Sequence, residues 1–159
     1  MQRVIEAALR DSADTSGGTL NVWLSGSTLT FRVPLIERIS PDRFDGVPSE
    51  LVAELVRVNQ HSIPIKELPL PSFVRVIESD TLRAWFASGI TAGWETFRAR
   101  TQSTSSVALS QPAFSPHSSR ALLYVVRRCG PRCGDGVLLD LRAINGSWVI
   151  SRSFRLWIT

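Results

Sequence analysis

Both cysteines of this 159-residue chain lie in one short segment, Cys129-Gly-Pro-Arg-Cys133-Gly-Asp-Gly136, between two strand-like runs. Paired thiols can do redox chemistry, hold a metal or close a loop, and their spacing discriminates among these. A thioredoxin-type centre needs two residues between its cysteines and a helix N-terminus that lowers a thiol pKa. Here Gly130, Pro131 and Arg132 intervene and a strand follows. A zinc site needs about four ligands. Only His61 and His117 could join the cysteines, so the sequence points to no metal and no cofactor. Two readings remain open: a Cys129–Cys133 disulfide, or two reduced thiols packed against the end of a sheet. A tight hairpin brings such positions within bridging distance, and so short a loop gains on the order of 2 kcal/mol. The bond requires an oxidising compartment. An oxidised pair therefore implies an exported, periplasmic-type location, and free thiols imply the cytoplasm.

Other chemistry is sparser. Ser115-Pro-His117-Ser118-Ser119 sets serines beside a histidine. A hydrolase also needs an orienting carboxylate and an oxyanion hole, and the chain has no Gly-x-Ser-x-Gly elbow. A polar turn accounts for these residues more simply. Charge is distributed unevenly. Residues 1–80 carry a balance of −3, whereas residues 81–159 carry +7, the latter from ten arginines against Glu95, Asp135 and Asp140. The arginines are scattered, with no run longer than Arg127-Arg128, which disfavours nucleic acid. They leave an anionic ligand or a protein partner as candidates. The candidate binding face is Arg127, Arg128, Arg132, His117, Asp140 and Arg142, with Asp140 and Arg142 expected to point outward from one strand and to pair across a hairpin with Ser151 or Arg152. An ordinary solvated sheet face is the simpler expectation. Trp85, Trp94, Trp148 and Trp157, with Phe86, Phe97, Phe114 and Phe154, could line a ligand pocket, although such positions more often belong to a core.

The elements that must position these groups follow from periodicity. Val4, Ile5, Ala8 and Leu9 share a helical face, predicting a helix over 3–11. Residues 14–18 are a turn cluster. Residues 19–24 and 27–33 predict two strands joined as a hairpin through Ser25-Gly26, and 34–47 reads as irregular. Pro48 opens a helix running to about Gln60, with Leu51, Val52, Leu55, Val56 and Val58 as its apolar stripe. Pro64, Pro69 and Pro71 make 61–72 a stiff connector, the best place for a hinge. A strand over 73–77 and two helices between 79 and 100 come next. A short strand at 107–109 and a polar loop from Pro112 to Ser119 lead into the last third. Residues 121–126 predict a strand buried on both faces. Residues 136–143 form the next strand, with Val137, Leu139 and Leu141 inward. Asn145-Gly146 is a strong hairpin signal. Residues 147–158 complete the meander, with Trp148, Ile150, Phe154 and Leu156 on one face.

The order Trp94-x-x-Phe97, Ser110, Phe114-Ser115, Ala121-Leu-Leu-Tyr-Val125, Cys129-Gly-x-x-Cys133-Gly-x-Gly136, Leu139, Asn145-Gly-x-Trp148-x-Ile150 and Trp157-Ile158-Thr159 resembles a group of small bacterial proteins. They share a C-terminal Cys-Gly, Cys-Gly-x-Gly, Gly-x-Trp and final Trp. The resemblance covers roughly residues 90–159. It implies the same strand pattern, makes a disulfide more plausible and suggests an exported or lipoprotein-like setting. It carries no established activity and transfers no catalytic residue.

The sequence thus predicts one α+β domain over 1–159. A C-terminal antiparallel meander of three to four strands packs one face on helices, and an N-terminal helix and hairpin add to the edge. A helix-and-curved-sheet cone of nuclear-transport-factor type is one version. No apolar run is long enough to be a transmembrane segment. Residues 1–11 have no apolar core of signal-peptide type, leaving a cytoplasmic protein or one that begins after a removed leader. The function favoured is a non-enzymatic binding or interaction domain. The alternatives are a small-ligand enzyme with a pocket between helices and sheet, and a structural domain of a cell-envelope assembly.

Overall fold

A computed structural model describes residues 1–11, 22–31 and 44–159. The turn cluster at 14–18, residues 19–21 and 32–33 of the expected strands, and the irregular stretch over 34–43 lie outside the described residues.

The elements in chain order are α1 (Gln2–Asp11), β1 (Val22–Ser25), α2 (Ser49–Val58), a 3-10 turn (Ile65–Glu67), β2 (Val74–Ile77), α3 (Ser79–Trp85), α4 (Ile90–Thr101), β3 (Ser106–Leu109), β4 (Ala113–Phe114), β5 (Arg120–Gly130), β6 (Cys133–Ile144) and β7 (Ser147–Ile158). The strands form one mixed sheet in the order β2-β1-β3-β5-β6-β7, with β4 also paired to β5. β1 is parallel to both β2 and β3, and the remaining pairings are antiparallel. The α+β expectation holds, with a sheet larger than a meander and mixed in direction.

The sheet is covered on both faces. On one, α1 buries Val4, Ile5, Ala8 and Leu9 against Leu24, Val107, Ala121, Leu123, Val125, Leu139 and Leu141. On the other, α2 buries Leu51, Val52 and Leu55 among residues that include Leu122, Tyr124, Val126 and Leu138. The α3–α4 pair lies over the β2–β1 end of this second face through Ile77, Trp23, Trp94 and Phe97. β5 is therefore buried on both faces from Ala121 to Val126, as its unbroken apolar run predicts. α1 covers a face instead of extending an edge. The helices accordingly do not gather on one side as the nuclear-transport-factor analogy requires.

The N-terminal hairpin does not form. Both edges of β1 are taken by β2 and β3, so no slot is left for residues 27–31. Their backbone groups bond elsewhere: Thr28 N–H to Ile63 O, Leu29 N–H to Leu109 O and Phe31 N–H to Asn59 O. The Pro-rich connector is docked onto this segment, with Ser62 Oγ donating to Thr28 O and Ile65 buried in the core.

β7 also departs from simple alternation. Asp140 pairs with Arg152 but Leu141 pairs with Ile150, so Ser151 is an extra residue in a bulge. One inserted residue exchanges the faces. Trp148 and Ile150 pack on the α1 side, whereas Phe154 and Leu156 pack on the α2 side.

The largest correction concerns Asp140. It is not outward and solvated: it is 0% exposed. Arg120 holds it in a bidentate pair, Nε and Nη2 each 2.7 Å from a carboxylate oxygen. Arg152, its cross-strand neighbour, approaches to 3.9 Å. Both arginines also reach the turn before α2, Arg120 donating to Gly46 O and Arg152 to Asp45 O. Arg142 lies at the same end of the strand, paired in register with Arg120, and its Nε is buried with no hydrogen-bond partner. At the other end of β6, Trp157 Nε1 donates to Tyr124 Oη at 2.6 Å. A Cβ at Gly136 would lie 2.2 Å from that Nε1 and 2.4 Å from that hydroxyl. The glycine and the terminal tryptophan of the sequence pattern are thus one packing unit.

Removing one partner of a buried pair strands the other, at a cost of about 3–5 kcal/mol. Asp140→Asn is expected to lower the urea-unfolding free energy by about 3 kcal/mol. Asp140→Leu combined with Arg120→Met should recover most of that loss. A cost for Asp140→Asn within measurement error would contradict the arrangement described.

Candidate functional site

Among the described residues, a groove of about 460 Å³ lies on the α2-side face of the sheet, between the α3–α4 pair and the β5–β6 hairpin. Its floor comes from alternate residues of three strands: Ser25 of β1, Ser106 and Ala108 of β3, and Val126 and Arg128 of β5. Ser106 pairs in register with Arg128 and Ala108 with Val126, which puts them side by side. Three of these five side chains are small, so the floor sits low between bulkier neighbours.

One wall is Leu82, Arg83 and Phe86 with Ile90 and Trp94. α3 and α4 approach closely because position 93 is glycine: a Cβ there would fall 2.3 Å from Phe86 Cδ1. Phe86 consequently meets Trp94 edge-on at 5.7 Å, and Trp94 meets Phe97 at 5.2 Å. This aromatic stack stiffens the wall.

The opposite wall is Gly130 and Pro131, at the tip of the β5–β6 hairpin. Cys129 and Cys133 are joined in a disulfide, with Cα atoms 5.0 Å apart. The register shifts between Arg128 and Gly130, so Cys129 sits in a bulge. The bond closes a loop whose own residues form the wall.

Two cationic residues, Arg83 and Arg128, are among those lining the groove. Arg83 pairs with Asp80 at 2.8 Å, with both side chains exposed on α3, a contact worth little in solvent. The Arg128 guanidinium lies 5.7 Å from the centre of the Trp157 ring, a cation–π contact. No carboxylate is among the described lining residues. Elsewhere, on α2, the hydrogen bond from Arg57 is the main cause holding the Glu54 carboxyl below its ordinary value. That exposed pair belongs to the helix surface and not to the groove.

The candidate face expected from the sequence is dispersed by the fold. Arg128 lines the groove, whereas the adjacent Arg127 points to the opposite face and pairs with Asp135 at 3.1 Å. Arg132 is exposed at the hairpin tip. Asp140 and Arg142 lie at the far end of β6, and Asp140 is committed to Arg120. His117 is exposed in the turn before β5, where Ser115 Oγ accepts the Arg120 N–H at 3.1 Å. Of the expected aromatics, Phe86 and Trp94 reach the groove and Phe97 is core. Ser25, Ser106 and Ala108 were not foreseeable from local pattern. The signal is slight, a serine ending β1 and Ser106 and Ala108 alternating along β3, and it gains meaning once the parallel pairing is known.

Among the described residues, no group of three or more potential metal-ligating side chains occurs, and no helix is long and apolar enough to cross a membrane. Compared with protein-family models, curated proteins and solved structures, the chain shows no significant match.

Replacing both cysteines, Cys129→Ser with Cys133→Ser, frees the hairpin tip. The expected cost is about 2 kcal/mol, a fall in Tm of about 4–8 °C. Calorimetry checks it, and adding a dithiol reductant to the native chain should reproduce the shift.

Proposed function

We propose that this chain is a non-enzymatic binding domain and that the groove between the α3–α4 pair and the disulfide hairpin is its ligand site. The observation that carries this reading is the groove's construction. A formed concavity within the size range of small-ligand sites is lined mainly by Leu82, Phe86, Ile90, Trp94, Val126 and Pro131. Burying a ligand's apolar surface on such a lining is favourable at about 25 cal/mol per Å². Ile90 stands at the rim, 60% exposed, where a bound ligand would cover it.

The disulfide and the resemblance to exported bacterial proteins favour an oxidising compartment. A role within a cell-envelope assembly is compatible with that. The enzymatic alternative needs polar groups such as Asp140, His117 or an arginine in an interior pocket. Asp140 and His117 lie outside the groove, Asp140 is already satisfied by Arg120, and the arginines that line it, Arg83 and Arg128, have no lining carboxylate or histidine beside them.

Nile red, a neutral apolar dye, tests the site. It should bind saturably at one site per chain with enhanced fluorescence. Ser106→Trp, which fills the floor, should abolish binding while circular dichroism stays unchanged. Ile90→Ala should weaken binding by about tenfold, the effect of removing one or two methylene-equivalents of contact. Binding that survives Ser106→Trp undiminished would place the dye elsewhere and remove the groove as the site.

A further inference from the structure

Three features of the groove carry charge of one sign. Arg83 stands on one wall and Arg128 on the floor. Arg83 is 78% exposed, and its Asp80 partner is more so. In solvent that pair is worth a few tenths of a kcal/mol, so the guanidinium can turn to a stronger partner at little cost. Among the described residues no carboxylate pairs with Arg128, whose contact is the Trp157 ring. The N-terminus of α4 opens at the same rim through Ile90, its first turn without an acidic residue and without a side-chain cap. Its free N–H groups and helix dipole add a weak positive field. Against these stands an apolar body of Phe86, Trp94, Ala108, Val126 and Pro131 with no described carboxylate in the lining.

We propose that the ligand of this groove is a small amphipathic anion, an oxyanion head on a single apolar tail. The inference rests on the binding-domain reading above and specifies its ligand class. The tail lies along the floor over Val126 and Ala108, against the Phe86–Trp94 edge. The head sits between Arg83 and Arg128, where guanidinium groups hold planar or tetrahedral oxyanions through charge-assisted bonds. A neutral ligand of the same tail leaves both cations unpaired by the ligand, and a cationic one is repelled. Discrimination by charge at a partly open site weakens as salt shortens the screening length.

Displacement of Nile red by matched ten-carbon amphiphiles tests this below their micellar concentrations: decanoate, decyl phosphate, decanol and decyltrimethylammonium. Both anions should displace the dye at least tenfold more tightly than decanol, and the ammonium more weakly than decanol. Whichever anion binds better identifies the head as carboxylate or phosphate. The preference for anions should shrink several-fold between 20 mM and 500 mM salt. Arg83→Glu, an exposed helix position, should weaken both anions about tenfold more than it weakens decanol. Arg128→Gln should do the same. Equal binding of decanoate and decanol, or a preference indifferent to Arg83→Glu, overturns the ligand class while the groove remains a site. Failure of every amphiphile to displace the dye removes the groove reading as well.

Discussion

The fully buried carboxylate of Asp140 governs the C-terminal half of this structure. Asp140 has no contact with solvent and lies between strands that are otherwise apolar at that depth. Left alone it would be strongly destabilising. Arg120 from β5 meets both of its oxygens, and Arg152 from β7 approaches from the other side. Any other register of β5, β6 or β7 would separate the acid from its partners. The same two arginines extend to the carbonyls of Gly46 and Asp45, so the turn that launches α2 is fixed to the sheet. The cluster specifies alignment more than it adds net stability, since a buried ion pair gains little over a packed apolar substitute.

The opposite end of the three strands is pinned differently. Trp157 folds over the bare backbone of Gly136 and donates to Tyr124, and the disulfide closes the β5–β6 turn beyond it. A sheet aligned at both ends gives β3 a straight partner, and β3 in turn seats β1 and β2 in parallel. The groove is a consequence of this order. It opens on one face where the small residues of β1 and β3 fall between the α3–α4 pair and the hairpin tip. Its floor is carried by the central strand β5, and its walls are an edge-on aromatic cluster and a cross-linked loop.

The meander was legible because its signals are local. The apolar run 121–126, the alternation along 136–143 and the Asn145-Gly146 turn each act within a few residues; Asn145 and Gly146 take φ values of 51° and 78°, as a tight hairpin demands. What failed depends on partners distant in sequence. Ser25-Gly26 has the composition of a hairpin turn, yet β1 is claimed on both edges by strands 50 or more residues away. Asp140 alternates with leucines as a solvated residue would, and only the arginines of two other strands make its burial tolerable. The phase of β7 turns on two bulges, at Ser151 and Leu156, which periodicity cannot register. The groove was least legible, because its floor joins three strands that no local pattern brings together, although Phe86 and Trp94 were visible as aromatic candidates.

The most direct test of the account is to map where an amphipathic anion touches the chain. Backbone amide resonances of isotopically labelled protein, recorded during titration with decanoate, report this residue by residue. The account expects the largest shifts at Ser25, Ser106, Val107, Ala108 and Gly130, with little change at the Asp140 end of the sheet. Shifts concentrated instead along α1 and the β6–β7 turn, or no saturable shifts at all, would contradict it.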